Sequence, residues 1–262
     1  MRTPSLRSYL EFALDAAWQA GRITLGYFQT DLVTQRKADN SEVTLADRQA
    51  EEKLRELIGR YWPDHGIIGE EFGSQPAGSR LTWILDPIDG TRSFVHGVPL
   101  YSMLIALVDG ETPLLGVIHL PALNETVYAA QGAGCYWNGR RAHVSAVDRL
   151  SDAVLLASEP AAFAEHGKDG AWQRLVAATP IHRTWGDGYG YALVATGRAE
   201  IMLDPAMHLW DCGPLLTILQ EAGGVLTDWQ GRATIYGGNA IGTNRLLFKQ
   251  TMKLVREAEG GG

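Results

Sequence analysis

Apolar side chains along the first 28 residues recur at alternating steps of four and three positions. The residues at this spacing are Leu6, Leu10, Ala13, Ala17, Ala20 and Thr24. Since an α-helix completes one turn every 3.6 residues, all six lie on one helical face. The segment lacks the unbroken apolar core of a signal peptide. It therefore predicts an amphipathic helix that packs on a folded domain.

A second helical pattern follows a polar loop and extends from about Thr44 to Tyr61. One face of the predicted helix carries Ala50, Leu54, Leu57 and Tyr61. Pro63 ends the pattern, because proline has no backbone N–H to continue a helix. A loop of small residues then separates a short apolar piece, 66–69, from a predicted strand at Leu81–Leu85.

Between Tyr101 and Val144 the apolar runs are short and turn signals separate them. The dipeptide Asp109-Gly110 lies between the apolar runs Met103–Val108 and Leu114–Ile118, as in a β-hairpin. Further turn signals are Leu123-Asn124 and Asn138-Gly139. This pattern predicts an antiparallel meander.

The second half of the chain alternates strand patterns with helix patterns. The predicted strands are Ala153–Ser158, Ala199–Leu203, Val225–Asp228 and Ala240–Gly242. Helices are predicted around Trp172–Ala178, within GDGYGYALVAT, within DCGPLLTILQEAGG, and from about Asn244 to Glu259. We expect an α/β (α+β) fold in one compact domain, 1–262, with possible lobes at about 1–150 and 151–262.

Composition narrows the class of protein. The chain has 262 residues, 45% of them hydrophobic and 20% charged, which is enough to bury a full core. Its formal charge of -7 argues against a nucleic-acid surface, which needs clustered Lys and Arg. Cys135 and Cys212 form neither a disulfide framework nor a CxxC motif, which fits a reducing compartment. No apolar run reaches the length of a membrane span, so we expect a cytoplasmic protein without membrane partners.

The strongest chemical signal is the stretch ILDPIDGTRSF, residues 84–94. Asp86, Asp89 and the carbonyl of Ile88 lie on one proline-containing turn, and oxygen ligands of this kind suit Mg²⁺. Gly90 and Thr91 follow with backbone N–H groups at the start of a helical turn, which is typical of an anion site. The stretch therefore predicts a metal site beside a phosphate site.

Phosphate monoesters hydrolyse extremely slowly in water, so an enzyme acting on them must neutralise charge and ionise water. One turn supplies too few carboxylates for that task, and Glu70 and Asp211 are the candidates for the remainder. Each has a simpler explanation: Glu70 and Glu71 as solvated loop charges, Asp89 as a turn or cap residue, and Asp211 as a helix N-cap.

Competing catalytic motifs are weak. The sequence contains no GxSxG elbow, no GxxxxGK[ST] loop and no GxGxxG fingerprint. Its seven histidines show no paired zinc spacing. His96 is the only histidine near the acidic turn in sequence, and a structural role is favoured for it.

Four segments together resemble the inositol monophosphatase superfamily of Mg²⁺-dependent, lithium-sensitive phosphatases. They are WILDPIDGTRSFVHGVPLY, GEEFG, SEVTLADRQAE and LWDCGPLLTILQEAGG, in the family's order, and the similarity extends from about residue 5 to residue 250. The resemblance implies a five-layer αβαβα sandwich, usually a homodimer, with two or three Mg²⁺ ions in each active site.

Carried onto this chain, the resemblance also implies roles for individual residues. The implied metal ligands are Glu70, Asp86, the Ile88 carbonyl, Asp89 and Asp211. Gly90 and Thr91 would hold the phosphate through their backbone amides. Thr91 and Asp47 would orient the attacking water, with Glu71 supporting it from further out. Thr44-x-x-Asp47 is also a good capping box for the second helix, so two roles compete for the Asp47 carboxylate.

Within the superfamily, the segments PLYSMLIAL, GVIHLPALNE and RTWGDGYGYALVATGRAEIMLD are closer to bacterial histidinol-phosphate phosphatases than to inositol phosphatases. L-Histidinol phosphate carries an ammonium group and an imidazole, and the acidic pair Asp187 and Asp204 favours a cationic substrate. Helix capping by Asp187 and an Asp-Pro turn at Asp204 are the alternative explanations. Asp204 also stands where many relatives have Glu, and Pro214 is unexpected after Asp211.

The alternative substrate is inositol 1-phosphate or another sugar or polyol phosphate. A nucleotide 3'-phosphatase fits the same metal turn, but the sequence shows no added basic loop for a second phosphate. A catalytically inactive binding module is disfavoured because carboxylates stand at every expected ligand position: Glu70, Asp86, Asp89 and Asp211.

Overall fold

The computed structural model of the protein describes residues 5–30, 35–36, 42–76 and 78–256. The helices are α1 Leu6–Tyr27, α2 Leu45–Tyr61, α3 Thr91–Val95, α4 Pro160–Glu165, α5 Asp169–Ala178, α6 Asp187–Ala195, α7 Leu209–Cys212, α8 Leu215–Glu221 and α9 Phe248–Arg256. The strands are β1 Gln35–Arg36, β2 Glu42–Val43, β3 Gly66–Gly69, β4 Gly73–Gln75, β5 Leu81–Asp89, β6 Ser102–Asp109, β7 Thr112–Leu120, β8 Glu125–Ala130, β9 Gly134–Trp137, β10 Arg140–Arg141, β11 Val154–Ala157, β12 Ile181–Arg183, β13 Ile201–Asp204, β14 Val225–Thr227 and β15 Ala240–Thr243.

Two mixed sheets organise the described part of the chain. One has eight strands in the order β10-β9-β8-β7-β6-β5-β3-β4, and the other has five in the order β12-β11-β13-β15-β14. Helices α1 and α2 cover the outer face of the larger sheet, α6 and α8 lie between the sheets, and α5 and α9 cover the smaller sheet. These are the five αβαβα layers that the family resemblance implies.

Both N-terminal helices form where their apolar periodicity places them. In α1 the buried face includes Ala13, Ala17, Ala20 and Thr24, and the Ser5 side chain caps the first turn. In α2 the expected face residues Ala50, Leu54 and Leu57 are buried. Tyr61, the fourth residue of this face, is 55% exposed, because it is the last residue of α2.

The meander is confirmed, including the hairpin at Asp109-Gly110. Strands β6 and β7 pair antiparallel, with Asp109 opposite Thr112, and Gly110 has a φ of 59°. Such positive φ values are strained for most L-residues, which explains glycine in this turn. Asn124 and Asn138 also have positive φ values, at the two other predicted turns. Three further antiparallel pairings continue the sheet to β10.

The second half follows the predicted order with shifted boundaries. The helix expected within DCGPLLTILQEAGG is assigned as α7 and α8, separated by Gly213 and Pro214. The last helix begins at Phe248, because Asn244 is buried and its Oδ1 accepts the Leu247 N–H at 2.9 Å. Residues 257–259 of its predicted range lie outside the described residues. Short elements without strong periodicity were missed, namely β1, β2, β4, α4 and β12.

His119 on β7 is a buried histidine away from the acidic residues. It is 6% exposed, its Nδ1 lies 2.9 Å from Thr126 Oγ1, and a side chain at Gly21 would collide with its ring. Burial disfavours the charged imidazolium and lowers the pKa of His119 from 6.5 to about 4. Between these two pH values the unfolded chain therefore binds a proton that the folded chain excludes.

Stability is therefore expected to fall as the pH falls through that window, and His119 should contribute up to about 3 kcal/mol to the loss. The substitution His119→Asn, compared with the exposed control His143→Asn, should flatten the pH dependence of the free energy of unfolding between pH 6.5 and 4. Urea unfolding at stepped pH measures this dependence. Equal slopes for both variants would contradict the assignment.

Among the described residues, no helix combines the length and the apolar character required to cross a bilayer.

Candidate metal and phosphate site

A β-bulge at the end of β5 brings two aspartates to one face of the larger sheet. Asp86 pairs with Leu104 and Asp89 with Ser102, so three steps along β5 match two steps along β6. In a regular strand, residues three apart point to opposite faces. The extra residue reverses that alternation after Asp86, and both carboxylates face the helices between the sheets. The sequence was interpreted as a turn here, whereas the strand continues to Asp89.

Asp211 completes a cluster of three carboxylates. One oxygen from each of Asp86, Asp89 and Asp211 lies within 4.8 Å of the others. Asp211 is the third residue of α7, and its Oδ2 accepts the His208 N–H at 2.7 Å. The N-cap position belongs to His208, so the simpler explanation of Asp211 as an N-cap is wrong in detail.

Glu70 reaches the cluster from the neighbouring strand. Strand β3 runs parallel to β5, with Gly69 opposite Leu85, and the Glu70 N–H donates to the Leu85 carbonyl at 3.2 Å. The Glu70 carboxylate lies near that of Asp86, and its charge helps to raise the pKa of Asp86. The structure thus brings together four of the carboxylates singled out in the sequence.

The cluster is electrostatically unfavourable without a cation. The pKa of Asp86 is raised well above its usual range by burial first, then by repulsion from Glu70 and Asp89. The pKa of Asp89 is raised for the same reasons, with Asp187 the first charged neighbour, and that of Asp211 rises to about 6. Buried oxygen donors in this state fit a hard divalent cation, which would stabilise their ionised forms.

The two carboxylate oxygens of Asp47 differ in their contacts. Its Oδ2 accepts the Thr44 N–H at 2.8 Å and the Thr44 hydroxyl at 2.6 Å, in the predicted capping box. Its Oδ1 is buried without a hydrogen-bond partner. Burial raises the pKa of Asp47 to about 6. Capping therefore leaves one oxygen available for another ligand, so it does not exclude the catalytic role that the family resemblance implies.

Gly90 and Thr91 follow the bulge at the start of α3. Gly90 has a φ of 78°, and a Cβ added there would lie 2.8 Å from Asp187 Oδ2, so both backbone conformation and space require glycine. The Thr91 hydroxyl donates to the Ile88 carbonyl at 3.0 Å. That carbonyl retains a second lone pair that can face a cation.

Asp187 and Asp204 line the same cleft as the cluster. Asp187 is the first residue of α6, with Gly186 at the N-cap, and its backbone N–H donates to Ser158 Oγ at 2.8 Å. Asp204 is 5% exposed, and its Oδ2 accepts the Tyr191 hydroxyl at 3.0 Å. Burial raises the pKa of Asp204 to about 7. The structure gives no sign that Asp187 caps the helix through its side chain.

The cleft has a volume of about 580 Å³ and is strongly acidic. Its described lining contains six carboxylates and one arginine, and that arginine, Arg92, is paired with Glu159 at 2.8 Å. The acidic lining residues are Asp89, Glu159, Glu165, Asp187, Asp204 and Asp211. His166 and His208 add imidazoles. His96 is not part of this lining; it is exposed, with Nδ1 2.9 Å from the Arg92 carbonyl.

Sequence reasoning missed two residues that hold this region together. Ser158 accepts the Asp187 N–H, and Glu51 on α2 accepts the Glu71 N–H at 2.7 Å. Glu51 lies four residues after Asp47, and that spacing places it on the same face of α2. This periodicity was the available signal for Glu51, although a charged residue in a helix is usually solvated.

The chain is similar to known proteins in both sequence and fold. The profile of the inositol monophosphatase family matches residues 5–259. The chain is 42% identical to a histidinol-phosphatase of Chlorobaculum parvum over 243 residues, covering 90% of this chain and 94% of the relative. It is 38% identical to a histidinol-phosphatase of Mycobacterium tuberculosis, covering 93% and 96%. A solved inositol monophosphatase of Zymomonas mobilis superposes with a TM-score of 0.86 at 29% identity, covering 97% and 100%.

Proposed function

The chain belongs to the inositol monophosphatase family and is a phosphatase, and from that premise we propose that it hydrolyses L-histidinol phosphate with Mg²⁺ as its cofactor. The products would be L-histidinol and inorganic phosphate, as in histidine biosynthesis. The observation that carries the proposal is the convergence of Asp86, Asp89 and Asp211 in an acidic cleft that has further carboxylates on its wall.

The proposed metal ligands are Glu70, Asp86, the Ile88 carbonyl, Asp89 and Asp211. Mg²⁺ bound there would neutralise phosphoryl charge and allow water to ionise near neutral pH. Two or three ions are proposed for each site. The all-oxygen donor set and the raised carboxylate pKa values support a hard divalent cation over a zinc-type site.

The chain's own groups would perform the remaining steps. The backbone amides of Gly90 and Thr91 are proposed to hold phosphoryl oxygens at the start of α3. Asp47 would accept a proton from the attacking water through its unpartnered Oδ1, and the Thr91 hydroxyl would orient that water. Glu71 is proposed to support this arrangement from outside the ligand set.

The acidic lining of the cleft favours a substrate whose leaving group is cationic. Asp187 and Asp204 lie on its wall with Glu159 and Glu165, and Arg92 is already paired with Glu159. The ammonium and imidazole of L-histidinol would gain electrostatic attraction there, whereas a neutral polyol would gain none. The relatives from Chlorobaculum parvum and Mycobacterium tuberculosis are both named histidinol-phosphatase, which favours the same substrate.

A comparison of kcat/KM for L-histidinol phosphate and inositol 1-phosphate, with Mg²⁺ present, tests the substrate. We expect L-histidinol phosphate to be preferred, and we expect Asp204→Asn to reduce that preference about tenfold, equivalent to about 1.4 kcal/mol of lost discrimination. Turnover of inositol 1-phosphate by the same variant is the internal control, because a defect in folding or metal loading would lower kcat/KM for both substrates. Faster turnover of inositol 1-phosphate by the unaltered enzyme would overturn the substrate while leaving the phosphatase class intact.

Inositol 1-phosphate or another sugar phosphate is the second candidate, favoured by the likeness to the Zymomonas mobilis enzyme. A homodimer and a cytoplasmic location remain predictions. Light scattering of the purified protein measures the first, and fractionation of cells measures the second.

A further inference from the structure

Glu51 is a fully buried carboxylate that the proposed reaction does not use. Its exposure is 0%, and three donors converge on it. Oε2 accepts the Glu71 N–H at 2.7 Å, while Oε1 accepts the Phe72 N–H at 3.3 Å and the Arg55 Nε–H at 2.8 Å. Both oxygens are therefore engaged by protein groups, and Glu51 is not arranged as a metal ligand.

The segment from Gly69 to Gly73 fits closely around this carboxylate. A Cβ added at Gly69 would collide with the Glu51 side chain, so only glycine permits the approach. Arg55 pairs with Glu51, and its second nitrogen donates to the Gly73 carbonyl. One helical residue pair thus bonds to residues 71–73 and packs against Gly69, on the two sides of Glu70.

The same helix also carries Asp47, one turn before Glu51. Asp47 accepts a hydrogen bond from the Thr44 N–H at the start of α2, and Glu51 accepts hydrogen bonds from the backbone N–H groups of residues 71 and 72. A displacement of the segment relative to α2 would therefore move Glu70 relative to both Asp47 and Asp86.

We propose that Glu51 is a positioning residue that sets the affinity of the site for divalent metal by fixing Glu70 beside Asp86. This inference rests on the proposed metal function. Groups that orient metal ligands without touching the ion typically contribute about 10- to 100-fold to metal affinity. Glutamine at position 51 retains one acceptor oxygen but turns an NH₂ group toward a backbone N–H, so the segment must shift.

The test is titration calorimetry of metal-free protein with Mg²⁺, together with the Mg²⁺ dependence of turnover. For Glu51→Gln we expect the dissociation constant for Mg²⁺ to rise about tenfold or more. Turnover at saturating Mg²⁺ should recover most of the wild-type value. A general loss of stability would reduce the folded fraction without shifting the dissociation constant of the folded protein.

Glu221→Gln is the matched control. Glu221 also accepts two backbone N–H groups, from Gly132 at 2.8 Å and Gly134 at 2.6 Å, but on a loop of the meander. We expect this variant to keep the wild-type affinity for Mg²⁺. An equal loss of affinity in both variants would overturn the specific role of Glu51.

Gly69→Ala provides a second variant if Glu51→Gln fails to fold, because it displaces the segment while leaving every charge in place. It should also weaken Mg²⁺ binding about tenfold. Unchanged Mg²⁺ affinity in the folded variant would overturn the inference. Failure of the unaltered protein to bind Mg²⁺ would instead overturn the metal function on which the inference rests.

Discussion

Replacing Asp86 with asparagine should reduce phosphatase turnover about a thousandfold, because about 4 kcal/mol of transition-state charge stabilisation corresponds to three factors of ten in rate. Asp86 is 2% exposed, and one of its oxygens lies within 4.8 Å of oxygens from Asp89 and Asp211. Asparagine preserves the size of the side chain and an oxygen to accept the Ile88 N–H. Steady-state kinetics at saturating Mg²⁺ measures the loss.

The same substitution should have the opposite effect on the metal-free fold. A carboxyl whose folded pKa is raised contributes stability below its unfolded pKa, and that contribution is lost as the pH rises through the folded pKa. At pH 8, far above the usual pKa of an aspartate, the clustered carboxyl groups therefore oppose folding, and Asp86→Asn should be at least as stable as the unaltered protein in EDTA. Its thermal midpoint should no longer rise on addition of Mg²⁺.

Asp109→Asn is the matched control, because Asp109 also precedes a glycine at the end of a strand. It lies on an exposed hairpin and pairs with Arg80 at 2.7 Å, an interaction worth at most about 1 kcal/mol. Turnover and the Mg²⁺-dependent stabilisation should both persist. Full activity of Asp86→Asn would rule out the proposed metal site.

Replacing Asp47 with asparagine should separate catalysis from helix capping. Asparagine can still accept the Thr44 N–H, so the free energy of unfolding should change by no more than about 1 kcal/mol, the usual range for cap substitutions. It cannot accept a proton from water at neutral pH. Turnover should therefore fall about 10²- to 10⁴-fold, the contribution of a positioned general base.

Thr44→Ala supplies the reciprocal test of the same capping box. It removes the hydroxyl that accepts the Ala46 N–H at 3.1 Å, and it should destabilise α2 by about 1 kcal/mol while most of the turnover remains. Urea unfolding and steady-state kinetics on both variants separate the two effects. If Asp47→Asn lost stability and kept its turnover, Asp47 would be only a capping residue.

The sequence predicted the elements whose signals are local. Periodicity identified α1 and most of the buried face of α2, and the Asp-Gly and Asn-Gly turns identified the meander, because these patterns need only neighbouring residues. The end of α2 at Tyr61 was predicted correctly, but the exposure of the Tyr61 side chain was not visible in the pattern, since it depends on which other elements cover the helix. The sequence also showed the candidate metal ligands, because Glu and Asp are residue types that suit Mg²⁺.

Spacing along the chain could not show how those carboxylates meet. The bulge between Asp86 and Asp89 depends on the register of β5 against β6, and Glu70 reaches Asp86 because β3 pairs in parallel with β5. Register and strand order arise from hydrogen bonds between distant segments, which a single sequence does not display.

The chain by itself therefore determined the order of the longer helices and strands and the acidic chemistry of DPIDGT. Only the tertiary structure decided that one Asp47 oxygen caps α2 while the other stays unpartnered, and that Glu51 is buried beneath the segment carrying Glu70. The physical reason is that the role of a carboxylate depends on which donors and charges surround it after folding, and those neighbours come from elements far apart in sequence.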